Sequence, residues 1–245
     1  MSSYTIPYVV QQTPRGERTL DLYSRLLSER IVYRGTEIDD GVANAVIAQL
    51  LHLSSENPEL AMSLYINSPG GSISAMLAIY DAMQFFKPRV ETVCVGQAAW
   101  TAAVLLAGGA PGSRAILPHG RVVLNQPATQ GRGTIPDLIL EADEVARVRL
   151  ELEEVLAQHT GRTAQQIRQD TDRTLVLPGA AAVDYGIVDT VLHEQVPATL
   201  AGPRPTSRVR QPRQGRRAAR CGPQARARSG RAHQRSPATS PRRGP

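Results

Sequence analysis

Residues 64–74 read Leu64-Tyr65-Ile66-Asn67-Ser68-Pro69-Gly70-Gly71-Ser72-Ile73-Ser74. Three apolar residues give way to a tight loop and then to a capping serine. Pro69 fixes its own φ, and the two glycines allow backbone conformations closed to other residues. Ser72 can cap a helix running to about Phe86. This strand–loop–helix unit sets the pattern for its neighbours. Upstream, Asp39 or Asp40 caps a helix with the stripe Val42, Val46, Ile47, Leu50, Leu51 and Leu53, ending near Asn57-Pro58. Before it come a short strand, Ile31–Tyr33, and a helix over Thr19–Glu29 with Leu20, Tyr23, Leu26 and Leu27 on one side. Downstream, Val90–Val95 is a buried strand and Ala98–Gly108 a wholly buried helix. Short strands follow near Ala115–Leu117 and Arg121–Asn125. Thr134-Ile135-Pro136-Asp137 opens a long helix with stripe Leu138, Ala142, Val145, Val148, Leu152 and Val155, closing at about His159 with Gly161 just beyond. A helix near Thr163–Thr171 and a strand near Ile187–Leu192 complete an alternating α/β domain.

The two ends differ from this middle. Residues 1–18 are polar, contain Pro7, Pro14 and Gly16, and are expected to be a mobile arm; the folded domain covers 19–196. Residues 201–245 hold thirteen Arg, seven Pro and five Gly, with no Asp, Glu, Lys or aromatic ring. Removing those thirteen from the 28 basic residues leaves 15 against 22 acids, so the formal charge of +6 belongs to the tail and not to the folded surface. The stretch 197–245 is expected to be disordered. It has no aromatics to stack on bases, which argues against a nucleic-acid role. Cys94 and Cys221 are too few for a disulfide framework. The first ten residues lack a basic leader, and the most apolar run, Ala98–Ala110, is shorter than the roughly 20 residues a membrane span needs. A cytoplasmic protein is expected.

Eight strings in this order are similar to the proteolytic subunit family of the ATP-dependent Clp protease, ClpP: residues 12–18 (QTPRGER), 22–32 (LYSRLLSERIV), 56–59 (ENPE), 64–74, 78–88 (AIYDAMQFFKP), 95–99 (VGQAA), 159–163 (HTGRT) and 182–189 (AVDYGIVD). The resemblance spans residues 7 to about 195. It implies a ClpP/crotonase-like αβ superhelix of repeated β-β-α units with a protruding handle helix, and an assembly of stacked seven-membered rings. It implies no cofactor and no metal.

The family's activity is that of a serine peptidase, in which an imidazole deprotonates a serine hydroxyl and a carboxylate orients the imidazole. The family serine follows Gly-Gln-Ala-Ala. Here Gly96-Gln97-Ala98-Ala99 is followed by Trp100. The family histidine precedes Gln-Pro, and here Asn125 precedes Gln126-Pro127. The family aspartate follows an acid–Arg pair, and here Thr174 follows Asp172-Arg173. All three roles are lost on this alignment: indole is no nucleophile, a carboxamide takes no proton at neutral pH, and a hydroxyl carries no charge. The expected function is a triad-less, non-catalytic ring subunit. The alternative is an active serine-type endopeptidase with another nucleophile, for which a Thr101/His119 dyad is the candidate.

The resemblance also assigns the remaining surfaces. The oxyanion-hole donors map to the N–H groups of Gly71 and Thr101, although turn geometry is the favoured explanation of the Gly70-Gly71 pair. Ring–ring contact maps to Asp137, Leu138, Val145 and Leu152 on the handle helix, with Arg173 beside the triad. The docking pocket for the AAA+ ATPase maps to Ser63, Tyr65, Val93, Val95, Ala115, Leu117 and Leu192, where Ser63 and Ala115 replace larger family side chains and weaken docking. Implied partners are active ClpP paralogue subunits, the Clp ATPase unfoldase and the unfolded proteins degraded by the complex.

Overall fold

The computed structural model describes residues 7–13, 16–126 and 133–193. The expectation of a disordered tail over 197–245 lies outside these residues, as do Pro127 and Cys221.

The 19–29 segment departs from its expectation. Tyr8–Thr13 (β1) and Gly16–Asp21 (β2) form an antiparallel pair, with Tyr8 opposite Asp21 and Val10 opposite Thr19. A stretch expected to be a mobile arm is thus a two-stranded ribbon in its described part. That pairing takes Thr19–Asp21 out of the expected helix, which begins only at Leu22. Helix α1 (Leu22–Ser28) is capped by the Asp21 side chain, which accepts from the Ser24 N–H at 2.9 Å.

A mostly parallel sheet forms the body. Strands β3 (Ile31–Arg34), β4 (Met62–Ser68), β5 (Val90–Ala99), β6 (Arg114–Ile116) and β9 (Thr190–Val191) lie in that order, all parallel. Strand β7 (Arg121–Leu124) pairs in parallel with the far end of β5, and β8 (Leu175–Pro178) pairs antiparallel with β7. Helices α2 (Asp40–Glu56), α3 (Ile73–Phe85) and α4 (Thr101–Ala107) connect the first strands. Parallel neighbours require such crossovers.

Alternation within β4 makes the core. Met62, Leu64, Ile66 and Ser68 are buried and alternate with half-buried Ser63, Tyr65 and Asn67. Helix α2 buries Val46, Leu50 and Leu53 against that inner face, α3 buries Met76 and Ile79, and every residue of α4 is buried. The α4 region was expected to be helical from Ala98, but Gln97–Ala99 remain in β5 because they pair with Arg121–Val123. Cys94 is a buried free thiol that burial pushes up to about 11.

Helix α5 (Ile135–Thr160) is 26 residues, about 39 Å long. Asp137 and Thr134 form its capping box, and Gly161 closes it at φ 72°. Its lower end is anchored. Arg114 is paired with Asp189 through Nη2 at 2.6 Å and donates from Nη1 to the His159 carbonyl at 2.9 Å. The Tyr80 hydroxyl lies 2.8 Å from His159 Nε2. Helix α6 (Ala164–Asp170), strand β8 and helix α7 (Gly179–Tyr185) close the fold. Strand β8 and helix α7 had no counterpart in the sequence reading, because a four-residue strand ending in proline carries too short a pattern to stand out.

Candidate functional site

Topology brings the three triad-equivalent positions to one place. Trp100 follows the C-terminal end of β5, and Asn125 follows the C-terminal end of β7, its parallel neighbour. Thr174 precedes β8, whose Leu175 pairs with Leu124 in antiparallel register. The residues beyond those paired ends therefore meet at one edge of the β5–β7–β8 layer. Among the described residues no hydrogen bond joins their side chains to one another.

Trp100 is held in an unusual backbone state. Its φ is 47° and its ψ −106°, at a sharp turn from β5 into α4, and its N–H donates to the Val123 carbonyl at 2.7 Å. A bulky residue at positive φ is strained by about 1–3 kcal/mol. Such a turn lifts its side chain away from the strand. Trp100 lines two spaces. One is an outer cleft of about 450 Å³ bounded by Gly71, Ser74 and Leu77 on one side and Val145 and Val148 of α5 on the other. The second is a small inner cavity of about 30 Å³ between Leu124, Asn125, Leu152, Leu156 and Ile167.

The glycine loop beneath the cleft is shaped by close approach. A Cβ on Gly71 would lie 2.2 Å from the Ile38 carbonyl oxygen, and one on Gly70 would lie 2.8 Å from that of Ala99. Ile38 donates to the Gly70 carbonyl at 2.9 Å and accepts from Ser72 N–H at 2.7 Å. Asn67 joins the loop to β5 by accepting from the Gln97 N–H at 3.1 Å. Gly71 itself borders the cleft.

The candidate dyad is not assembled. Thr101 is completely buried, and its hydroxyl has no partner among the described residues. His119 is exposed and precedes the N-terminal end of β7. The strand that separates it from the Trp100–Thr101 turn spans roughly 10 Å at about 3.3 Å per residue. Direct proton transfer between them is excluded in this arrangement.

Some assigned contact residues fall elsewhere. Leu152 was expected at a ring–ring contact, but it is 5% exposed and packed in the subunit's own core. The reason is that α5 lies along α4 and α6 over its second half. Val145 faces the cleft. The Asp137 carboxylate accepts from Thr134 N–H and Oγ1, and these bonds hold it below the usual carboxylate range. Leu138 stays exposed on the first half of α5, together with Ile135, Ile139 and Leu140. Arg173 is exposed. On the sheet, Tyr65, Val93 and Ala115 stand in one register row on the face opposite Leu64 and Ile66, Tyr65 half-buried and Val93 and Ala115 buried, with Ser63 and Val95 beside them. Leu117 and Leu192 follow the ends of β6 and β9.

One feature of the site escaped the sequence reading. Glu153 of α5 is buried and meets Arg149 at 2.7 Å and Arg168 of α6 at 2.8 Å. Arg149 also donates to Gln126 at 3.0 Å, and Gln126 to Asp172 at 3.0 Å. This network fastens the segment after β7 to the helices. The i,i+4 spacing of Arg149 and Glu153 was a legible signal; Arg168 comes in only through tertiary packing.

The family model described as Clp protease matches residues 14–195. The chain is similar to an ATP-dependent Clp protease proteolytic subunit 1 of Nocardia farcinica, 61% identical over 193 residues, covering 78% of this chain and 98% of that one. A proteolytic subunit 2 of Streptomyces avermitilis is 58% identical over 197 residues, covering 80% and 98%. A proteolytic subunit 4 of Rhodococcus jostii is 57% identical over 192 residues, covering 78% and 99%.

Proposed function

The chain belongs to the Clp protease family and is a proteolytic-subunit relative, and from that premise we propose that it is a non-catalytic ring subunit. The observation that carries the proposal is the convergence of Trp100, Asn125 and Thr174 at three neighbouring strand ends. A nucleophile, a base and an orienting acid would be needed there, and none of the three side chains supplies a role. Loss of a whole triad leaves only background catalysis from binding and backbone donors.

In this reading the subunit sits beside active paralogues in cytoplasmic heptameric rings. It lines the chamber, takes part in ring stacking through the first half of α5, and docks the ATPase weakly through the Tyr65–Val93–Ala115 row. Unfolded proteins enter the shared chamber and are cut by its partners. Among the described residues no helix is long and apolar enough to cross a membrane.

Two measurements test it together. Fluorogenic peptide hydrolysis and labelling by a serine-directed phosphonate should both be absent with the purified chain. Tagged chain should recover active proteolytic subunits from its host. Phosphonate labelling of this chain, or its recovery without any family subunit, overturns the proposal.

A further inference from the structure

Arg34 lacks the partner that comparable arginines have. Among the other half-buried or buried arginines, Arg25, Arg114, Arg149 and Arg162 each meet a carboxylate. Arg30 is satisfied by four backbone carbonyls. Arg34 stands at the end of β3, the outermost strand of the sheet. Its Nη2 donates to the neutral Gln49 Oε1 at 3.0 Å, its Nε is buried without a partner, and no carboxylate pairs with it among the described residues. It lines a small enclosed cavity together with apolar Val42, Val46, Leu64 and Ile66. Burial draws the guanidinium below its usual range, with Tyr23 acting in the opposite sense.

The surroundings point to a protein partner and not to a small ion. Leu22 and Tyr23 of α1 are 36% and 42% exposed, and Tyr23 stacks on Tyr33 with ring centroids 6.5 Å apart. A tyrosine–arginine patch with an apolar rim is the composition that carries interface energy. A half-desolvated cation with unused donors is costly until an anion reaches it.

We propose that Arg34 is a subunit-recognition residue whose guanidinium is completed by a carboxylate of the adjoining ring subunit, seated against Leu22 and Tyr23. This rests on the reading that the chain works within an oligomer of family subunits, and it adds a determinant of which neighbour is accepted. A neighbour without the acid leaves the guanidinium unpaired, so selection acts by penalty as well as by attraction.

The test uses the full chain with Arg34→Leu, Arg34→Gln and Arg34→Glu, in two measurements. In the first, thermal unfolding of the dilute chain alone should give a midpoint for Arg34→Leu equal to or above the parent's. A fall of more than a few degrees means that the anion lies within this chain, and overturns the proposal. In the second, association with purified active proteolytic subunits of the same host is titrated by mass photometry. Arg34→Leu and Arg34→Gln should weaken it at least about tenfold, and Arg34→Glu more, with the difference shrinking in salt. Equal association by parent and Arg34→Leu overturns the Arg34 assignment alone. A parent that binds no family subunit overturns the ring reading, and the assignment with it.

Discussion

The N–H of Trp100 donates to the carbonyl of Val123 at 2.7 Å, two residues before Asn125. This bond fixes the turn that leaves β5 against the last residues of β7. It brings together Trp100 and Asn125, 25 residues apart in the chain and, in the proposed reading, the nucleophile-equivalent and base-equivalent positions. The turn holds Trp100 at a φ of 47°.

In the proposed reading, activity turns on the side chains at these three positions. The purified chain should not hydrolyse small peptides, and Trp100→Ser alone should not change that, because Asn125 still takes no proton. Trp100→Ser combined with Asn125→His and Thr174→Asp should hydrolyse peptide above the single variant and label with a serine-directed phosphonate. Equal rates for the single and triple variants would remove Asn125 and Thr174 from the assigned roles.

Arg30 holds the C-terminal end of α2 to the start of β4. Its guanidinium donates to the carbonyls of Leu53, Asn57, Leu60 and Ala61 at 2.9–3.1 Å. Hydrogen bonds from a charged donor are among the stronger ones. Arg30→Ala should cost about 3 kcal/mol and lower Tm by about 6–12 °C. Calorimetry checks this, and a Tm within two or so degrees of the parent would contradict it.

The Arg114–Asp189 pair gives a pH signature. Burial alone would raise the Asp189 carboxyl, but hydrogen bonds from the Arg114 side chain and N–H outweigh it and hold the group below the usual carboxylate range. A depressed folded-state pKa gives stability that is complete above the unfolded value of about 3.9 and lost as pH falls through the folded one. Asp189→Asn should therefore melt lower than the parent at pH 7, and the gap should close in strong acid. A gap independent of pH would mean that packing, not charge, dominates.

The two halves of α5 should respond differently to a buried charge. Ile139 is 56% exposed, so Ile139→Asp should leave the subunit folded and reduce double-ring particles to single rings or smaller species. Leu152 is 5% exposed, so Leu152→Asp should destabilise the subunit itself by on the order of 4 kcal/mol. Light scattering and thermal melts on both variants separate the effects. The reverse pattern would relocate the assembly surface.

Much of this molecule was legible in its chain because the cues are local. Strand–loop–helix alternation around Asn67-Ser68-Pro69-Gly70-Gly71, the Thr134–Asp137 capping pair and Gly161 all act within a few residues of themselves. That Trp100, Asn125 and Thr174 stand where the Clp family carries serine, histidine and aspartate was read from the resemblance and the local strings that carry it. Tertiary structure decided what depends on distant partners. Leu152 belongs to an amphipathic stripe like Leu138 does, yet only packing against α4 and α6 makes one core and leaves the other at the surface. Thr101 adjoins Trp100 and His119 lies six residues before Asn125, yet the direction of β7 separates them. The Glu153 network and the unmatched Arg34 arise from elements brought together across the fold. A side-chain periodicity states which face is apolar; what covers that face is set by the path of the rest of the chain.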